Sequence, residues 1–272
     1  MSYKNILAPL APNDERQASA DFIVSMAQTL GAHVTACSYV LEPHYRGLPW
    51  LPQDLVASHV AGVVGAAERT LAGFKEAAKR AEVDSSTEIL RASLDTATSA
   101  LSKYTRVHDV AVFTQSSRGI DHFGDLFMEA ALFYSGRPII LVPAEYHQPF
   151  SMSRVVVAWD GSQRAASAVA HAMPILTSAN RTEVVVVGDK EKVKSSRAGE
   201  LISNLERHEM DVHLICRDED DHAEEIAREV TTWGASLLVM GGYGRSVARE
   251  MFFGGVTRHM MTKAPVPVLM AH

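Results

Sequence analysis

The chain has 272 residues, of which 47% are hydrophobic and 21% are charged, and its formal net charge is −6. This composition is typical of a globular protein with a well-filled core, and the length predicts two domains or one large one. The chain has no Lys/Arg block, which argues against nucleic acid as a partner.

Short apolar runs alternate with longer helical patterns through the first half of the chain. The predicted strands are Asn5–Leu10, His33–Val40, Ser86–Arg91, Asp109–Thr114 and Pro138–Val142. The predicted helices between them are Asp14–Gly31, Asp54–Ala81 and Leu94–Tyr104, followed by a last helix before the fifth strand. Apolar strands that alternate with helices indicate a parallel sheet covered on both faces.

The second half repeats this order. Its predicted strands are Arg154–Trp159, Thr182–Gly188, Asp211–Arg217, Ser236–Met240 and Pro265–Ala271. Its predicted helices are Gln163–Ala179, Lys192–Glu209 and His222–Trp233, with a last helix before the fifth strand. The sequence therefore predicts an α/β protein with two tandem doubly wound domains, residues 1–146 and 151–272, each a five-stranded parallel sheet flanked by helices.

The two cysteines and the N-terminus bear on the compartment. Cys37 and Cys216 both lie in apolar strand-like runs, so we predict two buried thiols without a disulfide, in a reducing compartment. The chain starts without a signal-peptide pattern, and no run approaches the roughly 18 apolar residues of a membrane span. We therefore expect a cytoplasmic protein.

A glycine-rich loop follows the fourth strand of the second half. Its sequence begins at Met240–Arg245, and nine residues then separate Gly244 from Gly254–Thr257, which opens the last helix. Glycines let backbone N–H groups approach phosphate oxygens, and the helix N-terminus adds a positive dipole. The spacing matches neither a Walker A motif nor a dinucleotide fingerprint, and an ordinary turn is the alternative.

Two further strand ends favour a ligand site at the same edge of the sheet. Asp160 follows Ala158 and Trp159 at the end of the first strand, where its carboxylate could bind a ribose or a metal, or cap the next helix. Val187, at the end of the second strand, offers an apolar wall for a base. Ligands of open parallel sheets bind beyond the carboxyl ends of the strands.

These motifs together resemble the universal stress protein family. The resemblance rests on the Gly241-x-x-Gly244 spacing, on Gly254, on the closing segment Ala264–Leu269 and on Asp160–Ser162. It extends over nearly the whole chain as two tandem domains, although the first domain matches only in outline. It implies a stress-response or regulatory protein that binds ATP, with or without Mg²⁺, on a sheet of strand order 3-2-1-4-5.

The resemblance also implies roles for individual residues of the second domain. Asp160 would face the ribose or the metal, and Val187 and Met240 would line the adenine pocket. The ribose and phosphates would be held by Gly241, Gly244, Gly254, Gly255, Val256 and Thr257. Ala158, Trp159 and Arg245 complete the predicted nucleotide site. The family commonly has Ser or Thr at position 255, so Gly255 predicts weaker binding. It commonly has a smaller residue at position 159, where Trp159 could either stack on the base or crowd it.

The first half has lost the corresponding pattern. Ala11 takes the place of Asp160, and the segment 115–119 has no Gly-x-x-Gly spacing. Asp125 and Glu129 follow Gly124, and carboxylates at a helix start repel phosphate. We therefore expect ATP to bind the second domain only. An extra apolar segment, Glu42–Asp54, is expected to cover its own domain, the other domain, a second subunit or a ligand.

Other kinds of site have weaker support. His208, Asp211 and His213 are close in sequence, but their spacing matches no zinc motif, and we predict neither a metal site nor a catalytic residue. A slow ATPase is one alternative function, in which Arg245 would contact phosphate. A scaffold or carrier whose first domain binds a partner or an apolar metabolite is the other. The two domains are expected to form an intrachain pseudo-dimer through their last strands, and whole chains to form homodimers.

Overall fold

The computed structural model describes residues 2–12, 17–42, 53–93, 95–115, 122–242 and 255–272. The chain divides into two compact units. The N-terminal unit comprises residues 3–137 with 147–149, and the C-terminal unit comprises residues 138–146 with 150–272. The strands of each unit are mainly parallel.

The described residues of the N-terminal unit form four strands and four helices. They are β1 (Asn5–Leu10), α1 (Gln17–Leu30), β2 (His33–Glu42), α2 (Gln53–Arg80), β3 (Ser85–Ser93), α3 (Ala97–Thr105), β4 (Val110–Thr114) and α4 (His122–Tyr134). The strands lie in the order β3-β2-β1-β4, and their pairs are parallel. This is the start of the 3-2-1-4-5 order that the family resemblance implies.

The C-terminal unit contains the remaining elements. They are β5 (Ile139–Val142), β6 (Arg154–Ala158), α5 (Gln163–Leu176), β7 (Arg181–Val187), α6 (Lys190–Ser195), α7 (Ala198–Glu206), β8 (Val212–Arg217), α8 (His222–Trp233), β9 (Leu237–Gly241), α9 (Gly255–Lys263) and β10 (Val268–Ala271). The strand order is β5-β10-β9-β6-β7-β8. The five strands β6 to β10 therefore have the 3-2-1-4-5 order, which is confirmed. The last strands meet as expected, because β5 pairs antiparallel with β10.

The handedness of the crossover connections determines which helices cover each face of this sheet. Strands β6, β7 and β8 follow one another in one direction across the sheet, whereas β9 and β10 lie in the other direction. Because crossover connections are right-handed, α5, α6 and α7 cover one face and α8 and α9 cover the other. The contacts agree, since α5 packs on β9 and β10, α7 packs on β7 and β8, and α8 packs on β7 and α9. We call these the α5–α7 face and the α8–α9 face.

The predicted helix Lys192–Glu209 is two helices, α6 and α7. The break lies at Ser196 and Arg197, where Arg197 adopts a left-handed conformation with φ of 55°. The carbonyl of Ser196 accepts a hydrogen bond from Trp159 Nε1 at 2.8 Å, so a contact from the end of β6 fixes this junction.

The prediction of two buried thiols is correct for Cys37 and wrong for Cys216. Cys37 is buried on β2, which has a neighbouring strand on each side. Cys216 is exposed because β8 is the edge strand of the C-terminal unit. Both thiols are free. In the described part of the chain, no helix is sufficiently long and apolar to cross a membrane.

Candidate nucleotide site in the C-terminal unit

The carboxyl edge of β6 lies where the sheet changes its direction of winding. Ala158 pairs in register with Val185 of β7 on one side and with Met240 of β9 on the other. The connection from β6 leads towards β7, whereas the chain reaches β9 from the far edge of the sheet. Such a switch point opens a crevice beyond the strand ends, which is the usual ligand site in doubly wound sheets.

Three of the predicted site residues share the α8–α9 face. Side chains alternate between the faces along a strand, and registered partners point the same way. Ala158 is in register with Val185 and Met240, and Val187 is two residues further along β7. Val187 and Met240 are buried and Ala158 is half-buried. The structure therefore brings these three apolar side chains together below the crevice.

Asp160 is exposed at the end of β6 and forms a local turn. Its Oδ1 accepts a hydrogen bond from the backbone N–H of Ser162 at 2.9 Å. Ser162 is the N-cap of α5, and its Oγ accepts from the N–H of Ala165 at 3.1 Å. The capping role proposed for Asp160 as an alternative therefore belongs to Ser162. Within the described residues, Oδ2 of Asp160 has no hydrogen-bond partner and is available to a ligand.

Gly241 ends β9 directly beneath the first turn of α5. A Cβ at this position would lie 2.8 Å from the backbone N of Ala165, 2.8 Å from the backbone C of Arg164 and 2.9 Å from Arg164 Cβ. Any side chain would therefore displace the helix start. Packing alone requires this glycine, whether or not it also approaches a phosphate.

The first turn of α9 supplies the other half of the predicted phosphate site. Gly255 is exposed, with open space around its Cα, and Val256 is half-buried. Thr257 is buried, with 3% of its surface exposed. Thr257 is the third residue of α9, so its backbone N–H belongs to the first turn of the helix. The predicted residues Gly244, Arg245 and Gly254 lie outside the described residues.

Trp159 points away from the apolar group below the crevice. Side chains alternate between the two faces of the sheet, so the Trp159 side chain lies on the face opposite those of Ala158 and Asp160, which is the α5–α7 face. Its backbone N–H donates to the carbonyl of Val185 at 2.9 Å, and its indole N–H donates to Ser196. Gly161, with φ of 76°, lets this junction approach, because a Cβ there would lie 2.8 Å from Ser196 Cα. The structure thus places Trp159 in the packing of the α6–α7 junction.

Two basic side chains at the same edge, Arg164 and Lys192, escaped the sequence analysis. Arg164 lies beside Gly241, and its Nε donates to Nδ1 of His272 at 3.1 Å. Lys192 folds over Gly188 at the end of β7, and its Nζ lies 3.4 Å from Nε2 of His222. Burial, and then the charge of Lys192, lower the pKa of His222, which favours a neutral ring at pH 7. Arg164 lies in the first turn of α5, where the helix dipole makes a cation unfavourable unless an anion is nearby. Its position in the sequence therefore indicated an anion site.

The N-terminal unit differs at the corresponding positions. Ala11 follows β1, so no carboxylate stands where Asp160 follows β6. Asp125 lies in the first turn of α4, where it complements the helix dipole and would repel a phosphate. The segment Glu42–Asp54 falls almost entirely outside the described residues, as do residues 116–119.

Metal ligands are not grouped in the described part of the chain. There, no cluster of three or more His, Cys, Asp or Glu side chains is placed to hold a metal ion. His213 Nε2 and Asp211 Oδ1 lie 3.1 Å apart on exposed β8 and its approach. Asp221, which precedes α8, is the N-cap of that helix, since its Oδ1 accepts from the N–H groups of Ala223 and Glu224.

The fold defines a doubly wound α/β domain whose switch point lies at the carboxyl edge of β6. The family model described as the universal stress protein family matches residues 152–272. The match covers the strands β6 to β10 and the helices between them. A search of curated protein sequences gave no significant match to the chain.

Solved structures extend the likeness in fold to the whole chain. A universal stress protein from Archaeoglobus fulgidus superposes with a TM-score of 0.72 at 15% identity, covering 98% of this chain and 97% of that chain. A functionally unknown protein from Pseudomonas aeruginosa superposes with a TM-score of 0.60 at 11% identity, covering 99% and 92%. At these identities the comparison establishes the shared fold, with two tandem α/β domains in one chain.

Proposed function

We propose that this protein is a stress-response regulator that binds ATP in its C-terminal domain, residues 151–272. The observation that carries the proposal is that Asp160 and Gly241 lie at the carboxyl ends of the neighbouring strands β6 and β9, at the switch point of the sheet. Both lie at the edge where doubly wound sheets bind their ligands. The universal stress protein family match covers the same residues.

The described residues fit the parts of an adenine nucleotide. Val187 and Met240 form an apolar floor against which the base would lie. The free Oδ2 of Asp160 would accept a hydrogen bond from a ribose hydroxyl. The first turn of α9 would donate backbone N–H groups to the phosphates, and Gly255 leaves room for them to approach. Mg²⁺, when bound with the nucleotide, would neutralise phosphate charge.

Two departures from the family pattern affect the strength of binding in different ways. Gly255 removes one hydroxyl donor, and a hydrogen bond to a charged group contributes roughly 1.5–3 kcal/mol. Trp159 does not crowd the base, because its side chain lies on the opposite face of the sheet. Arg164 would add a positive charge at the phosphate edge.

The test is calorimetric titration of MgATP into Gly255→Glu and Gly199→Glu. Both glycines lie in the first turn of a helix, α9 and α7, and both have open space around them. Each variant therefore adds a carboxylate to a helix start without a clash, but only Gly255 lies at the crevice. We expect at least tenfold weaker binding, about 1.4 kcal/mol, in Gly255→Glu and unchanged binding in Gly199→Glu.

Two results would contradict the proposal. One is a wild-type protein that takes up no MgATP, and the other is equal binding by both variants. Prolonged incubation with MgATP, followed by chromatography of the nucleotide, separates a regulator from a slow ATPase. We expect ATP to be recovered intact, whereas ADP accumulation above the rate in buffer would favour hydrolysis.

The N-terminal domain, residues 1–146, is proposed to bind no ATP. Asp125 occupies the helix start at which phosphate would have to bind. We propose a structural role for this domain, in a cytoplasmic chain that forms homodimers. Native mass spectrometry of the purified protein would report one nucleotide per chain and the number of chains together.

A further inference from the structure

A second cavity lies on the α5–α7 face of the C-terminal unit. It has a volume of about 560 Å³, within the usual range for small-molecule sites. Its walls are one side of α5 and one side of α7, and the indole of Trp159 closes the end nearest β6. The candidate nucleotide crevice lies over the opposite face, so the two sites have separate walls.

The cavity exists because α5 presents small side chains where it faces α7. Ala166 and Ala170 stand one helical turn apart on this wall, and both are exposed. Larger residues at these positions would fill the space between the helices. Val169 and Met173 continue the same stripe and keep the wall apolar.

The start of α7 is held in place, which prevents the helix from closing onto α5. Trp159 Nε1 donates to the carbonyl of Ser196, and Ser196 Oγ donates to the carbonyl of Val193 at 2.7 Å. Gly161 packs directly against the Ser196 backbone, and Arg197 takes a left-handed conformation. The hydrogen bond from Trp159 Nε1 to Ser196 holds the indole ring in place and occupies its N–H. A ligand can therefore contact the face of the ring but cannot accept a hydrogen bond from it.

Polar groups are confined to a few points of the lining. Asn204 lies in the last turn of α7 and His208 in the turn that follows the helix, and both line the cavity. On α5, Pro174 has no N–H and cannot donate to the carbonyl of Ala170 four residues earlier. Both of these residues line the cavity, so a ligand hydroxyl can replace the missing helical donor.

We propose that this cavity binds a small uncharged aromatic molecule that carries one hydroxyl or amide group. The ring would stack on Trp159 and contact the thioether of Met173, both of which favour aromatic partners. The single polar group would hydrogen-bond both to Asn204 and to the carbonyl of Ala170. The lining contains no Lys, Arg, Asp or Glu, which argues against a charged ligand.

The probe is 2-naphthol, titrated calorimetrically into three proteins. Ala170→Phe places a ring inside the cavity, and Ser203→Phe places the same ring on an exposed part of α7 outside the lining. We expect saturable binding to the wild type and to Ser203→Phe, and at least tenfold weaker binding to Ala170→Phe. If Ala170→Phe does not fold, as judged by circular dichroism, Ala166→Leu fills the same space with a smaller group.

A second comparison tests the polar contact and the independence of the two sites. Asn204→Ala should weaken binding of 2-naphthol but leave binding of naphthalene unchanged. Gly255→Glu, which is designed to block the nucleotide crevice, should bind 2-naphthol like the wild type. The proposal is overturned if the wild type shows no saturable binding up to the solubility limit of the probe, or if the cavity-filling variants bind as well as Ser203→Phe does.

Discussion

Replacing Gly241 by alanine should destabilise the protein even when no nucleotide is present. The added methyl group would lie 2.8 Å from two backbone atoms of α5, the N of Ala165 and the C of Arg164. Because both are backbone atoms, no side-chain rotation can relieve the contact, and the start of α5 must move by several tenths of an ångström. Overpacking of this kind costs about 1–3 kcal/mol.

This cost translates into a measurable shift in melting temperature. One kcal/mol corresponds to about 2–4 °C for chains of 150–250 residues, so we expect Gly241→Ala to melt about 2–12 °C lower than the wild type. Gly255→Ala is the matched control, since a Cβ there meets nothing within 4 Å. Alanine is favoured over glycine in helices by up to about 1 kcal/mol, so this control should melt at the same temperature or slightly higher.

The assay is differential scanning calorimetry with and without MgATP. Nucleotide bound to the folded state adds stability by mass action, so the nucleotide-free scans isolate the packing effect of each variant. If Gly241→Ala melts like the wild type without nucleotide, the close approach of α5 to β9 is wrong. A loss of the MgATP-induced shift without a change in the nucleotide-free scan would make Gly241 a ligand contact only.

Two further substitutions test the interior of the C-terminal unit. Trp159→Phe removes the donor to the Ser196 carbonyl, which should lower the free energy of unfolding in a urea melt by about 1–3 kcal/mol. Trp233→Phe is the control, because Trp233 only stacks on the exposed Arg154. For Glu183, burial and then the charge of Glu229 raise the pKa of the carboxyl group above its usual value, and its Oε2 is buried without a hydrogen bond. Because the pKa of Glu183 is raised in the folded state, the wild type loses stability as the pH rises through that pKa. Glu183→Gln should therefore be more stable than the wild type at pH 7 but not at pH 4. An equal difference in stability at both pH values would refute this.

The alternation of apolar runs with helical patterns was enough to predict the strands and most helices. His222–Trp233 and Asn5–Leu10 have the predicted bounds, because capping residues and strand-breaking residues mark their ends. The separation of α6 from α7 could not be predicted. It depends on a hydrogen bond between Trp159 and Ser196, which are 37 residues apart in the sequence.

The candidate site was predictable only in part, for a similar reason. Motif spacing identified Asp160 and Gly241, but it could not show that the neighbouring Trp159 belongs to the opposite face. That assignment needs the register between β6 and its neighbours. The exposure of Cys216 likewise depends on the place of β8 at the edge of the sheet, which the apolar pattern of the strand does not reveal.

The antiparallel pairing of β5 with β10 has a consequence for dividing the chain. A fragment that begins at residue 151 would retain every residue of the candidate nucleotide site but would lose Ile139–Val142. The backbone of β10 would then be left as an open edge, and such an edge is a template for pairing with another chain. The strand Ile139–Val142 thus covers the edge of β10, and a fragment from residue 138 would keep that edge paired.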